Sequence, residues 1–362
     1  MERSNRVRKV ALDGTISTLV QLPISADNMS MTPSGELLVS GGTSRVIYRV
    51  KQSGEFEQFA LFGVGLNGDG VPADEARIWT IASTVEAPDG RIFIADHQMS
   101  RVWVLTRSPR VFEGGIKQAA SFVSGSMAAE TIVSVFGINL ADETLVAQST
   151  PLPTSLGGTT VIVRDSAGVG RAADLFFVSG AQINLMIPAG TAIGPATLFV
   201  RTSAGKEASF DFNIVTANPG LFATNANGCG VAAALWLRVD GAGVQTNGPV
   251  FEFDADASTF VGKPIDLGPA DDQVFLLLFG TGVRGAGGAA NVTASINGIA
   301  VLVLFAGDQG GFVGLDQINI GPIPRSLIGA GEVEIQIVAT STSSNAVTVT
   351  IGGAAQPPAG DR

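Results

Sequence analysis

Apolar and polar positions alternate along this chain in short runs bounded by glycine and proline, a pattern that predicts strands rather than helices. Thr131–Asn139 reads TIVSVFGIN, and Gln182-Ile-Asn-Leu-Met-Ile-Pro188 follows about fifty residues later. Val274–Val283 reads VFLLLFGTGV, and Gln317-Ile-Asn-Ile-Gly-Pro322 follows about forty residues later. Each copy runs on to a further alternating strand, Phe210–Ile214 or Val347–Ile351. A duplicated unit made of short strands predicts two tandem β-sandwiches, over 121–216 and 217–353, with Ala217-Asn-Pro-Gly220 between them.

A different repeat fills residues 1–107. Ser34-Gly-Glu-Leu-Leu-Val39 leads to Arg45–Val50, and Asp89-Gly-Arg-Ile-Phe-Ile-Ala-Asp96 leads to Arg101–Leu105. Each is a turn, a strand, a short loop and a second strand. Arg6–Val10 opens a partial third copy. Residues 108–120, with Gly114-Gly115, read as a linker, and 354–362 as a disordered Pro/Gly tail.

The words Pro33-Ser-Gly-Glu-Leu-Leu-Val39, Pro88–Asp96 and Ser100-Arg-Val-Trp103 resemble the NHL repeat, a four-stranded propeller blade. The glycine-rich stretch Gly63–Ile78 is similar to the inter-blade loop of bacterial members, and Ser40 departs from the pattern where the next copy has Asp96. Propellers need at least about four blades of about 40 residues each. Residues 1–107 hold about two and a half, so an open apolar face and strand edges are expected. Either further blades and an export signal precede this sequence in the natural protein, or the partial blades pack on the next domain or on a second chain. Residues 120–353 resemble the Solibacter-type C-terminal region of acidobacterial surface proteins, whose sandwiches are similar to the IPT/TIG immunoglobulin-like fold. The residues carrying this are Val133–Leu140, Pro151–Gly158, Phe177–Asn184, Pro219-Gly-Leu-Phe222, Leu278–Gly282 and Gly311–Asn319, and Phe251–Phe260 departs as a local insertion. The expected fold is therefore all-β: incomplete propeller blades, then two tandem immunoglobulin-like sandwiches.

Composition narrows the partners. The 46 glycines suit tight turns, and the longest apolar runs, Val274–Phe279 and Ile299–Ala306, are too short for a membrane helix. A net charge of −10 disfavours nucleic acid and anionic lipid. One cysteine, Cys229, allows no internal disulfide and excludes an antibody-type Cys–Trp–Cys core. The opening MERSNRVRKVALDG has no apolar signal-peptide core, while the resemblance implies export.

Candidate chemistry is sparse. Gly63-x-Gly65-x-x-Gly68 spells a dinucleotide fingerprint, but no helical pattern follows it. Asn67, Asp69, Asp74 and Glu75 offer weak Ca²⁺ ligands without EF-hand spacing, and Asp254, Asp256, Asp271 and Asp272 are similarly ambiguous. His97, the single histidine, reads as a hydrogen-bonded surface residue, and Cys229 as structural or incidental. No catalytic residue and no cofactor is expected. Residues i and i+2 of a strand share a face, so Gln182 with Asn184, and Gln317 with Asn319, point outward around buried isoleucines. They are expected to clamp loop backbone or, alternatively, to contact a ligand. Gly137 after Phe136, and Gly280 after Phe279, are expected to let each strand turn into its loop. The functional expectation is a non-catalytic, exported or cell-surface module binding an unidentified protein or glycan through loops and sheet edges, with its oligomeric state open. The alternatives are the accessory part of a propeller enzyme (a lyase or glycan-acting hydrolase), with the active site in blades outside this sequence, or a remnant without a task.

Overall fold

A computed structural model describes residues 5–65, 75–88, 90–105 and 108–353. These residues are all-β, with helix limited to the short turns Arg284–Ala286, Ala289–Asn291 and Arg325–Leu327 among them. The chain divides into two compact units, 1–107 and 108–362.

In the first unit, β1 (Arg6–Val10) and β2 (Ile16–Gln21) form a hairpin. The next four strands, β3 (Asn28–Met31), β4 (Leu37–Gly41), β5 (Val46–Val50) and β6 (Phe56–Leu61), form an antiparallel blade in sequence order. Then come β7 (Ser83–Glu86), β8 (Ile92–Asp96) and β9 (Arg101–Leu105), with β8 central. The four-stranded blade is buried on both faces, which is why its central strands lack strict alternation. Val39 and Tyr48 pack with Val7, Val20 and Leu22 on one side. Leu38 and Ile47 pack with Ile78, Ile92 and Ile94 on the other. Arg49 pairs with Glu36 and with Glu86, at 3.0 Å each, and so bridges two sheets. On β9, Val102 and Val104 are exposed.

The second unit begins with a correction. Residues 108–120, expected as a linker, contain the nine-residue strand β10 (Arg110–Gln118). It pairs with β11 (Ile132–Ile138), with a register shift between Val111 and Ile116. The Gly114-Gly115 pair, read in sequence as part of the linker, is that bulge, and Gly114 sits at φ 64°. One sheet holds β10 and β11 with β13 (Asp174–Val178) and β14 (Gln182–Met186). The facing sheet holds β12 (Thr159–Arg164), β15 (Gly194–Arg201) and β16 (Glu207–Val215). Val133, Val135, Ile183 and Leu185 meet Val161, Leu198, Val200 and Ile214 in one core between the layers.

A second two-layer body follows. Its first sheet holds β17 (Ala234–Val239), β18 (Gln245–Pro249), β21 (Gln273–Thr281), β23 (Val303–Asp308) and β24 (Asp316–Ile320), with β19 (Phe251–Asp254) and β20 (Thr259–Gly262) as a separate hairpin. Its second sheet holds β22 (Val292–Ile296), β25 (Gly331–Ala339) and β26 (Val347–Ile351). Leu276, Leu278, Ile318 and Ile320 face Ile296, Ile335, Ile337 and Val349 in a core of its own.

Candidate functional site

Because β21 buries its even-numbered residues, Phe275, Leu277 and Phe279 lie half-buried on the outward face of the sheet. Phe279 borders an open cavity of about 520 Å³. Three further segments supply most of the rest of its wall. Phe222 and Thr224 come from the loop after Ala217-Asn-Pro-Gly220, Phe251 and Phe260 from the β19–β20 hairpin, and Gln309, Phe312 and Leu315 from the loop between β23 and β24. Phe312 is 71% exposed, and Phe253, beside the groove on the hairpin, 58%.

Cross-strand register builds the hairpin's aromatic face. Phe253 stands opposite Phe260. The Phe260 ring meets both Phe251 and Phe253 edge-on, with centroids 5.5 and 5.3 Å apart. Asn225 pins this hairpin to the neighbouring loop. Its Nδ2 donates to Phe260 O at 3.1 Å, and its Oδ1 accepts the Phe260 N–H at 3.1 Å and the Thr259 hydroxyl at 3.0 Å. The opposite face of the hairpin carries Glu252 and Asp254, with Asp256 in the turn. Near the β23–β24 loop, burial pushes the Asp316 carboxyl up from the ordinary aspartate value, against the pull of the Val283 N–H and of Arg284.

The residues singled out in sequence fall in several places. Phe279 lines the groove. Phe136, its counterpart, faces Gln182 across β11 and β14, just as Phe279 faces Gln317 across β21 and β24. The amides bond within each pair rather than to loop backbone. Gln182 Nε2 donates to Asn184 Oδ1 at 2.7 Å, and Gln317 Nε2 to Asn319 Oδ1 at 2.8 Å. Gly137 and Gly280 lie inside strands, not at turns. A Cβ on Gly137 would stand 2.1 Å from Arg110 O, and one on Gly280 2.3 Å from Gly220 O, so close approach of a paired backbone excludes a side chain. Asn67, Asp69 and Asp74 lie outside the described residues, as do 354–362. Glu75 is described, and no group of three or more metal-ligating side chains occurs among the described residues. Asp254 Oδ1 accepts the Asp256 and Ala257 N–H groups of its own turn. His97 is exposed, its Nδ1 3.0 Å from the Thr80 hydroxyl, and Cys229 is an exposed free thiol. No helix follows Gly63-Val64 among the described residues before β7; that pair lies parallel to Arg77-Ile78.

No protein-family model matches this chain, and no curated protein sequence matches it. Solved structures give low-scoring likenesses. The SGBP-B protein of the Bacteroides ovatus mixed-linkage glucan utilization locus, solved with a mixed-linkage heptasaccharide, is 10% identical with a TM-score of 0.28, covering 72% of this chain and 51% of that one. The gluconolactonase XC5397 of Xanthomonas campestris is 15% identical with a TM-score of 0.23, covering 54% and 75%. Virginiamycin B lyase from Staphylococcus aureus is 13% identical with a TM-score of 0.19, covering 75% and 88%. This chain therefore spans about half the length of the glucan-locus protein. No helix among the described residues is long and apolar enough to cross a membrane.

Proposed function

We propose that this chain is a non-catalytic interaction module whose aromatic groove takes an apolar segment of a partner protein. The observation that carries this is the groove itself, walled by Phe222, Phe251, Phe260, Phe279 and Phe312. Gln309 and Thr224 are its main polar side chains. A sugar buries hydroxyl groups and needs a matching set of hydrogen bonds, whereas an apolar side chain needs none. Exposed aromatic rings beside a groove are what protein interfaces use as anchors. Glu252 and Asp254 lie on the other face of the same hairpin with Asp256 in its turn, and the whole chain carries −10. Charge complementarity thus favours a partner segment whose apolar anchors are flanked by Lys or Arg.

The wider assignment accompanies this reading. Residues 1–107 are taken as NHL-type propeller blades, and 121–216 and 217–353 as immunoglobulin-like domains of the IPT/TIG kind. The two separate cores support the last division. An exported, surface-exposed setting follows from the Solibacter-type resemblance.

The test uses the full chain against short synthetic peptides with alternating Phe or Leu, flanked by Lys in one set and by Glu in another, with soluble β-glucan as a further arm. Binding of the Lys-flanked set, weakened at least about tenfold by Phe312→Ser or Phe260→Ser, is expected. Glucan binding that survives both substitutions, or peptide binding indifferent to them, would overturn the proposal. Self-association of the chain that the same substitutions abolish would make a second copy the occupant instead.

A further inference from the structure

The loop that carries Phe312 is gripped at both ends by one guanidinium. It leaves β23 at Asp308 and enters β24 at Asp316. Arg284 Nη2 lies 3.1 Å from Asp308 Oδ1 and donates to Leu315 O at 2.8 Å, while Nε donates to Asp316 Oδ1 at 2.6 Å. Asp316 is itself fully buried, and its Oδ2 accepts the Val283 and Arg284 N–H groups. The remaining arm of the fork, Nη1, reaches Glu130 Oε1 at 3.4 Å, on the neighbouring two-layer body.

A second tie lies beside the first. The buried Thr281 hydroxyl donates to Gly314 O at 2.9 Å and accepts the Ile132 N–H at 2.9 Å. Gly314 sits so close to that body that a Cβ there would stand 2.7 Å from Ile132 Cγ1 and 3.4 Å from Met186 Sδ. The loop has little stiffness of its own, with glycine at 310, 311 and 314. Phe312, at 71% exposure, has little burial to fix it.

Burying a guanidinium costs desolvation that pairing only partly offsets, so its presence is weak evidence for stability. What a planar fork supplies is direction: several acceptors held at fixed angles by one rigid group. We infer that Arg284 is a positioning residue for the groove, and that the body containing Glu130 and Ile132 sets the Phe312 wall through it. The groove is then a composite site, specified from both sides of the joint between the two layered bodies. This rests on the groove being a binding site, and the test separates the two claims.

The measurement is hydrogen exchange of residues 309–315 in the full chain, alongside affinity for the Lys-flanked peptide, in Arg284→Gln, Arg284→Lys, Glu130→Gln and Thr281→Val. Faster exchange in that loop and peptide affinity down about tenfold are expected for Arg284→Gln, with Arg284→Lys intermediate because an ammonium cannot span four acceptors. Glu130→Gln lies outside the groove and leaves a half-exposed amide, so the denaturation midpoint stays put while the loop loosens. Unchanged loop exchange in both Glu130→Gln and Thr281→Val, with wild-type affinity, sinks the composite site. If the wild-type chain binds no peptide, the groove reading has failed, and the exchange result still decides whether Arg284 holds the loop.

Discussion

Ser40 and Asp96 occupy corresponding positions in successive sheets, and their surroundings show what the substitution changes. Asp96 is 1% exposed; its carboxylate accepts the Trp79 N–H at 2.9 Å and the Thr80 hydroxyl at 3.3 Å. Ser40 is fully buried, and its hydroxyl has no partner among the described residues. In its sheet Asp27 takes over, accepting the Gly42 N–H at 2.8 Å. Removing Asp96 strands buried donors, so Asp96→Ala is expected to cost about 1–3 kcal/mol in urea denaturation. Ser40→Ala removes an unmet hydroxyl and is expected to be neutral or stabilising; a loss above about 1 kcal/mol would show that the hydroxyl is satisfied. Asp165 gives a pH-dependent counterpart. The N–H of Ala192, then those of Val169 and Ala167 with the Arg171 guanidinium, hold its carboxyl at about 2. Because the folded value lies below the unfolded one, the contribution is complete above the ordinary aspartate range and is lost as pH falls toward about 2. Unfolding midpoints of the wild type should drop across that window. Asp165→Asn should start lower at neutral pH and show a shallower slope, and equal slopes would remove Asp165 as the cause.

At the scale of elements, strands and their inward faces were legible because alternation with a period of two is read directly: Val333, Ile335 and Ile337 are buried, and Glu332 and Glu334 are exposed. Two features were not. The strand Arg110–Gln118 was hidden by a bulge that uses the glycines a turn would use. The groove was hidden because its aromatics sit on four segments brought together only by sheet topology, and only Phe279 was singled out among them. Phe222 and Phe312 stand in words quoted for the family resemblance, and Phe251 and Phe260 bracket the insertion, so the signal that could have found them was aromatic residues recurring at loop and insertion sites. The paired words carry a further consequence. Gly137 and Gly280 hold equivalent places beneath a partner strand's carbonyl oxygen. Alanine at either must push two backbones apart, so each substitution is expected to destabilise by about 1–3 kcal/mol, with exchange protection lost first in Arg110–Gln118 for Gly137→Ala and in Gly220-Leu221 for Gly280→Ala. Uniform loss across both bodies would point elsewhere.

At the scale of the whole molecule, residues 108–353 contain two cores but few degrees of freedom between them. Four ties cross the joint: Arg284 to Glu130, Ile132 N–H to Thr281, Gln118 to Asn218 O, and Asn218 to Ser126 O. Gly282 adds a close contact, since a Cβ there would lie 3.0 Å from Thr131 Oγ1 of the first body. Intramolecular hydrogen bonds contribute about 1 kcal/mol each, so four buried or half-buried ties amount to a coupling of a few kcal/mol. That is a large share of the stability of an ordinary domain. The two bodies should therefore open as one cooperative unit, although each has its own core. Native-state hydrogen exchange reads this directly: amides of Ile132–Ile138 and of Gln273–Thr281 should share one opening free energy and one denaturant slope in the wild type. Thr281→Val deletes the hydroxyl that serves both Ile132 and Gly314 while keeping the side-chain volume, so it should split the two sets of amides and leave the weaker body opening alone. Distinct opening energies already present in the wild type would mean that the ties orient the bodies without coupling them, and the groove's Phe312 wall would then be free to shift whenever either body opens.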